Sequence, residues 1–189
     1  TTALQNGSNA GDMVGAIQKN RPQGLEINDD GTKIFVIYHG HGNFGDTVIN
    51  TRLLEYDLST PYSLSTMSLV TDAGIELEDE CGNPMGIRFS NDGKRLWCVE
   101  HMNAASDVVQ ISLDVAYSTS SFTIDGEVRI VNLGGNGNLS QPRGIAFSQN
   151  GLKMYVGSDR TVNGGDEVVE LDLVCPFNII GGKCPPITE

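Results

Sequence analysis

The sequence predicts an all-β chain of three repeated units, each a sheet of four antiparallel strands, and three observations carry that reading. A first block recurs without gaps: "RPQGLEINDDGTKIFVIYH" from Arg21, "NPMGIRFSNDGKRLWCVEH" from Asn83 and "QPRGIAFSQNGLKMYVGSD" from Gln141. Its prolines, Pro22, Pro84 and Pro142, stand 62 and 58 residues apart, and in each copy a turn glycine (Gly31, Gly93, Gly151) follows nine residues later. A second block, "EYDLSTPYSLST", "QISLDVAYSTSS" and "ELDLVCPFNIIG", places Leu58, Leu113 and Leu173 four residues before Tyr62, Tyr117 and Phe177. The third observation is the shape of the apolar segments, which are short runs such as "IFVI" with no helical period. Only the stretch between the blocks varies in length.

Each strand has its own justification. After the Pro-x-Gly entry, Leu25 and Ile27, Ile87 and Phe89, and Ile145 and Phe147 alternate with Glu26, Arg88 and Ala146, the period-two pattern of a half-buried first strand. Asp30-Gly31, Asp92-Gly93 and Asn150-Gly151 supply a tight turn, because glycine and asparagine tolerate positive φ. The second strand (Ile34 to Ile37, Leu96 to Val99, Met154 to Val156) is continuously apolar and is expected to be buried on both faces. A third strand, opened by Asp46, Asp107 or Asp166, runs into the second block; these aspartates are expected to satisfy turn amides. The fourth is weaker, at Ser65 to Val70 and Val128 to Val131. Four strands in about 60 residues, repeated, fit a β-propeller blade better than a sandwich or a solenoid coil. The units are 22–83, 84–141 and 142–189, preceded by a segment 1–21.

The frame Pro-x-Gly-(Leu/Ile)-x-(Phe/Ile), the turn Gly, a basic residue and an aromatic-Val pair, followed by "YDLSTPYSLST", resembles the YVTN-like propeller repeats of bacterial secreted and surface proteins, many of them marine, and of some phages. The resemblance covers Pro22 to Phe177 and is closest in the first unit. It implies the blade fold and a surface setting. About activity it implies little, because propellers host enzymes, binders and scaffolds alike.

The 189 residues carry 12 basic against 24 acidic side chains, a formal net charge of −12, which argues against nucleic acid and anionic membrane as partners. No segment approaches the roughly 20 consecutive apolar residues of a membrane helix, so membrane insertion is not expected. "TTALQNGSNA" does not read as a signal peptide, and the chain reads as a mature or excised piece of a β protein. The 23 glycines and 7 prolines show no collagen period and fit blade turns.

Propeller rings close with about four to eight blades, so three units point to a longer array, a shared ring or an open stack. The tail "NIIGGKCPPITE" leaves little room for a fourth strand in the third unit, while Met13 to Gln18 lies where a preceding blade's last strand would be. That segment is a candidate clasp within the molecule or a donor strand to a neighbouring copy.

Four cysteines form an even set without a C-x-x-C pair. Cys175 and Cys184 bracket a short tail and are expected to pair; Cys98 is either a buried thiol or a bridge to Cys81. The even count and acidic surface suit an extracellular or cell-surface setting. Asn6 and Asn138 begin glycosylation acceptor sequences.

His39, His101 and Asp159 occupy equivalent positions at the end of the second strand, and two imidazoles with a carboxylate form a candidate metal set, extended by His41. Exposed strand-end polar residues are the plainer reading. The acidic stretch with Asp72, Glu76, Glu78, Asp79 and Glu80 offers oxygens for calcium, but its spacing lacks the EF-hand order and a solvated connector fits better. No nucleophile elbow or P-loop is present, and Trp97, aligned with Phe35 and Tyr155, reads as core. No cofactor is expected and no catalytic residue is assigned. The leading functional expectation is a non-enzymatic extracellular structural or adhesive protein whose partner is itself, as a filament or surface layer built by end-strand exchange. The alternatives are a carbohydrate- or ligand-binding propeller module with glycans as partners, and then an axial metal-dependent hydrolase.

Overall fold

The computed structural model describes residues 21–39, 51–70, 74–77, 79–101, 107–130, 139, 141–159 and 166–181. All regular structure in these residues is β apart from one short 3-10 turn at Leu64–Thr66. The first sheet runs in the order β1 (Arg21–Ile27), β2 (Lys33–His39), β3 (Arg52–Leu58), β4 (Met67–Leu69), with β5 (Ile75–Glu76) added to β3. The second is β6 (Pro84–Phe89), β7 (Arg95–Glu100), β8 (Asp107–Leu113), β9 (Phe122–Arg129). The third holds β10 (Pro142–Phe147), β11 (Lys153–Ser158) and β12 (Glu167–Asp172). Every neighbouring pair is antiparallel. The chain is therefore all-β, with three blade-like sheets that hold five, four and three strands among the described residues; the first thus has one strand more than expected, and in the third, where the tail leaves little room for it, no fourth strand is described. The first strands of successive units stand side by side.

The same local chemistry builds each unit. The Pro-x-Gly entry is a bulge, since the register slips between Pro22 and Gly24, Pro84 and Gly86, and Pro142 and Gly144. In the turn, Asp30, Asp92 and Asn150 accept the amide two residues on, at 3.0, 3.0 and 3.1 Å. The turn glycines have φ of 71, 67 and 68°. Over each lies the aromatic residue of the second block: the amides of Tyr62, Tyr117 and Phe177 donate to the carbonyls of Gly31, Gly93 and Gly151 at 2.8 Å. These aromatics themselves take φ of 59, 53 and 54°, a strained region for a bulky residue. The repeat's fixed spacing thus records a contact between the turn and the far end of the third strand.

The sheets stack face to face and share two cores. Phe35, Ile37, Leu53, Ile75 and Leu77 of the first unit pack with Ile87, Phe89, Leu96, Val109, Ile111 and Leu113 of the second. Trp97, Val99 and Val108 pack in turn with Met154, Val156 and Val169 of the third. β2 and β7 are buried on both faces as expected, but β11 only on one: Met154 and Val156 are buried while Tyr155 and Gly157 on the other face are not. The first strand also departs from expectation. Leu25 and Ile27 are 59 % and 36 % exposed, whereas their equivalents Ile87 and Phe89 are each 6 % exposed. The reason is position in the stack, because the inner-strand side chains point toward the preceding sheet.

A disulfide joins Cys81 to Cys98 inside the first core, across a separation of 17 residues. Cys175 is disulfide-bonded as well, and Cys184 lies outside the described residues.

A Cβ at Gly93 would lie 2.3 Å from the Tyr117 ring at positive φ. Gly93→Ala should therefore lower the unfolding free energy by about 2–4 kcal/mol in urea titration. Gly157→Ala, with nothing within 4 Å, should change it by less than about 0.5 kcal/mol. Replacing Cys81 and Cys98 together with alanine should remove about 3 kcal/mol, read in the same titration, as expected for a loop of this length.

Candidate functional site

The most chemically organised part of the molecule is the interface that it builds twice between successive sheets. Across the first, the Phe35 and Phe89 rings lie 4.5 Å apart; across the second, the equivalent Trp97 and Phe147 lie 4.1 Å apart. Glycines let the inner strands approach, since a Cβ on Gly24 would sit 2.9 Å from Gly86 Cα. Arg88 pairs with Glu26 at 3.0 Å across the first interface, and Asn91 Nδ2 donates to the Gln149 carbonyl at 3.0 Å across the second.

A polar latch recurs with the stacking. Glu55, on β3 and pointing at the second sheet, accepts the Thr119 amide at 2.7 Å and the Thr119 hydroxyl at 2.9 Å, both on Oε2. Its other oxygen, Oε1, takes Lys33 Nζ at 2.6 Å, and Asp57 takes the same lysine at 2.7 Å. Gln110, the equivalent residue on β8, accepts the Ile179 amide at 2.9 Å. Thr119 and Ile179 each stand two residues after the aromatic of their turn lock. Arg95, equivalent to Lys33, donates instead to the Pro176 and Phe177 carbonyls at 3.2 and 3.1 Å. A buried carboxylate is tolerated at Glu55 because a lysine and two donors satisfy it.

Among the described residues the three sheets therefore leave two unlike faces uncovered. On the third sheet Val168 is 72 % exposed, while its equivalents Leu53 and Val108 are fully buried. Glu170 occupies the position of Glu55 and Gln110, and Lys153 bonds both it and Asp172, the arrangement seen at Lys33. Hydrogen bonds from Lys153 and from the Tyr155 hydroxyl hold the Glu170 carboxyl below the usual carboxylate range. At the other end, Ile34, Val36, Leu54, Tyr56 and Leu58 form a third cluster whose described members all belong to the first unit.

The residues singled out as metal ligands are not gathered. His39 ends β2 opposite Arg21, and Asp159 is exposed and paired with Arg143 at 2.5 Å. The His101 carbonyl accepts Asn83 Nδ2 at 2.6 Å, and the buried Nε2 of His101 has no partner among the described residues. Among the described residues no three His, Cys, Asp or Glu side chains form a metal-binding group. Of the acidic connector, Glu76 pairs with Arg52, Asp79 is exposed and Glu80 half-buried. The stretch is not simply a solvated loop, since Ile75 and Leu77 within it are fully buried in the first core and Ile75–Glu76 form β5. Asp72, Glu78, His41, Asp46, Asn6 and Asn138 lie outside the described residues, as do residues 1–20. Asp107 is buried at the start of β8 with Arg129 Nε 3.5 Å away, and it accepts no turn amide among the described residues.

Glu100 and Asp107 are the buried acids of the second sheet. Burial raises both carboxyls above their ordinary values; the Asn83 and Gly82 amides draw Glu100 back, Arg129 draws Asp107 back, and Glu127 pushes both up. A carboxyl raised in the fold stabilises it when protonated, and that contribution is lost as pH rises from the ordinary carboxylate range, about 4, through the raised value. Glu100→Gln keeps an oxygen for the Asn83 amide, now at 3.2 Å. It should raise the melting temperature at pH 7, by about 2–4 °C for each kcal/mol gained, with the gain shrinking toward pH 4 in calorimetry.

No protein-family model and no curated protein matches this chain. Solved structures resemble it at low identity. A Bacteroides fragilis protein named provisionally as a 6-phosphogluconolactonase shares 16 % identity at a TM-score of 0.49, over 80 % of this chain and 39 % of its own. A Lactobacillus plantarum protein shares 16 % at 0.49, over 83 % and 43 %. A functionally unknown protein from Desulfotomaculum acetoxidans shares 13 % at 0.48, over 78 % and 41 %. This chain thus spans about two fifths of each. With TM-scores below 0.5 throughout, the fold assignment rests on the topology of the three sheets themselves.

Proposed function

We propose that this chain is a non-enzymatic, extracellular structural or adhesive protein that associates with copies of itself into a filament or surface layer. One observation carries the reading: among the described residues the two uncovered faces are the two unlike halves of an interface that the chain already makes twice. Unlike ends join head to tail, and such contacts propagate unless the rotation closes them. A second feature favours the same conclusion. The third sheet has three strands among the described residues, none of which pairs the outer edge of β12, and Met13 to Gln18 is the candidate donor of an added strand there. The buried disulfide and the acidic surface suit an oxidising exterior, and the YVTN-like repeat frame belongs to surface proteins.

Light scattering on the purified chain across a hundredfold concentration range tests the reading. The mass should climb from 20.3 kDa toward multiples of it as concentration rises. A constant single-chain mass at every concentration would overturn it.

A further inference from the structure

We propose that the contact between copies is a third instance of the internal latch: Glu170 of one copy accepts the Leu64 amide of the next. The inference rests on the self-association reading and specifies its chemistry. The acceptor is already in place. Lys153 bonds Glu170 on Oε1 and Asp172 on Oδ1 at 2.9 Å, as Lys33 bonds Glu55 on Oε1 and Asp57; the Tyr155 hydroxyl also donates to the Glu170 carboxylate, whose Oε2 corresponds to the Glu55 oxygen that receives Thr119 and, like any carboxylate oxygen, can accept more than one donor. Yet the Glu170 side chain is 50 % exposed against 2 % for Glu55. The acceptor therefore has its ion partner without the backbone donor that completes the internal pair.

The donor stands at the opposite end. Leu64 follows Tyr62 by two residues, as Thr119 follows Tyr117 and Ile179 follows Phe177, and it opens the 3-10 turn, where a first-turn amide has no helical acceptor. Among the described residues no acceptor reaches it. The flanking contacts repeat in the same register. Tyr155 takes the place of Phe35 and Trp97, and Ile27, 36 % exposed, takes that of Phe89 and Phe147. Gly24 meets Gly86 and Gly86 approaches Gly144, but a Cβ on Gly144 would have nothing within 4 Å, an open berth for the Gly24 of another copy. The latch, the aromatic pair and the close glycine approach of the internal interface each have a counterpart on one uncovered face or the other, and the two faces complement each other, which is why a second copy is the occupant.

Sedimentation of the full chain and four variants tests the latch. Glu170→Ala should weaken association about 10- to 100-fold, the effect of losing a charge-assisted hydrogen bond at a buried contact. Glu170→Gln should stay within about threefold of the parent, because Gln110 performs the same task. Leu64→Pro deletes the amide, and its predecessor Ser63 at φ −107° and ψ 102° already has the backbone that precedes proline. It should match Glu170→Ala, while Leu64→Ala, which keeps the amide, should associate near the parental level. Mixing Glu170→Ala with Leu64→Pro should restore one sound contact per pair, giving dimers that do not grow. Should the parent assemble but Glu170→Ala, folded by circular dichroism, assemble with an unchanged constant, the latch is wrong and the self-association reading survives on another contact. A parent that never assembles overturns both, and the latch does not depend on Leu64→Pro folding because Glu170→Ala alone decides it.

Discussion

A sheet whose strands are apolar on both faces needs a neighbour on each side, and that requirement organises this molecule. β2 and β7 show it directly: Phe35 and Ile37 on one side of the first sheet, and Trp97 and Val99 on the matching side of the second, are sealed by the next unit's inner strand. Burying a large side chain from water stabilises by about 1.5–3 kcal/mol, so each interface outweighs anything that a single exposed sheet could offer. The same requirement explains where burial fails. Val168 is exposed because its face has no following sheet among the described residues, and Leu25 because its face has no preceding one. Neither residue differs in kind from its buried equivalents.

The polar latch depends on this packing and on a strained turn in equal measure. Tyr62, Tyr117 and Phe177 hold a left-handed backbone that costs about 1–2 kcal/mol each, and the aromatic ring over the turn glycine offsets it. The left-handed residue redirects the chain, so that the amide two positions on faces out of its own sheet toward the preceding one. Thr119 and Ile179 meet Glu55 and Gln110 as a consequence. A local feature of fixed spacing thereby sets a contact 64 and 69 residues distant in sequence.

Much of the fold could be read before the structure, and the missing part has physical causes. The nine-residue spacing from proline to glycine marked the first hairpin, and Leu58, Leu113 and Leu173 marked the end of the third strand, because local chain geometry leaves a local signature. The sequence pattern does not betray the exposure of Tyr155, since it matches that of Phe35 and Trp97 and only the absence of a following sheet among the described residues distinguishes it. Ile75 and Leu77 were hidden by the acidic residues between and around them. The latch leaves no sequence signal beyond the aligned Glu55, Gln110 and Glu170 at the start of the second block, because its observed donors are the backbone amides of Thr119 and Ile179, residues with no side chain in common. His39, His101 and Asp159 hold equal positions in the repeat, but equal positions do not converge unless the units surround a point; Asp159 instead answers Arg143.

The difference among the three latch residues is itself informative. Gln110 has no lysine beside it, because Arg95 reaches across to the Pro176 and Phe177 carbonyls, and an uncharged acceptor is what a buried site without a counter-ion can hold. Glu55 is ionisable and almost wholly buried, which Lys33 and the Thr119 donors make tolerable. Glu170 carries the Glu55 arrangement and not the Gln110 one, lysine and second carboxylate included. In water that set is a hydrated surface pair of small energetic consequence. Covered by another sheet, it already contains the counter-ion that burial would demand, so the end of the stack can be left open or closed without a rearrangement of charge.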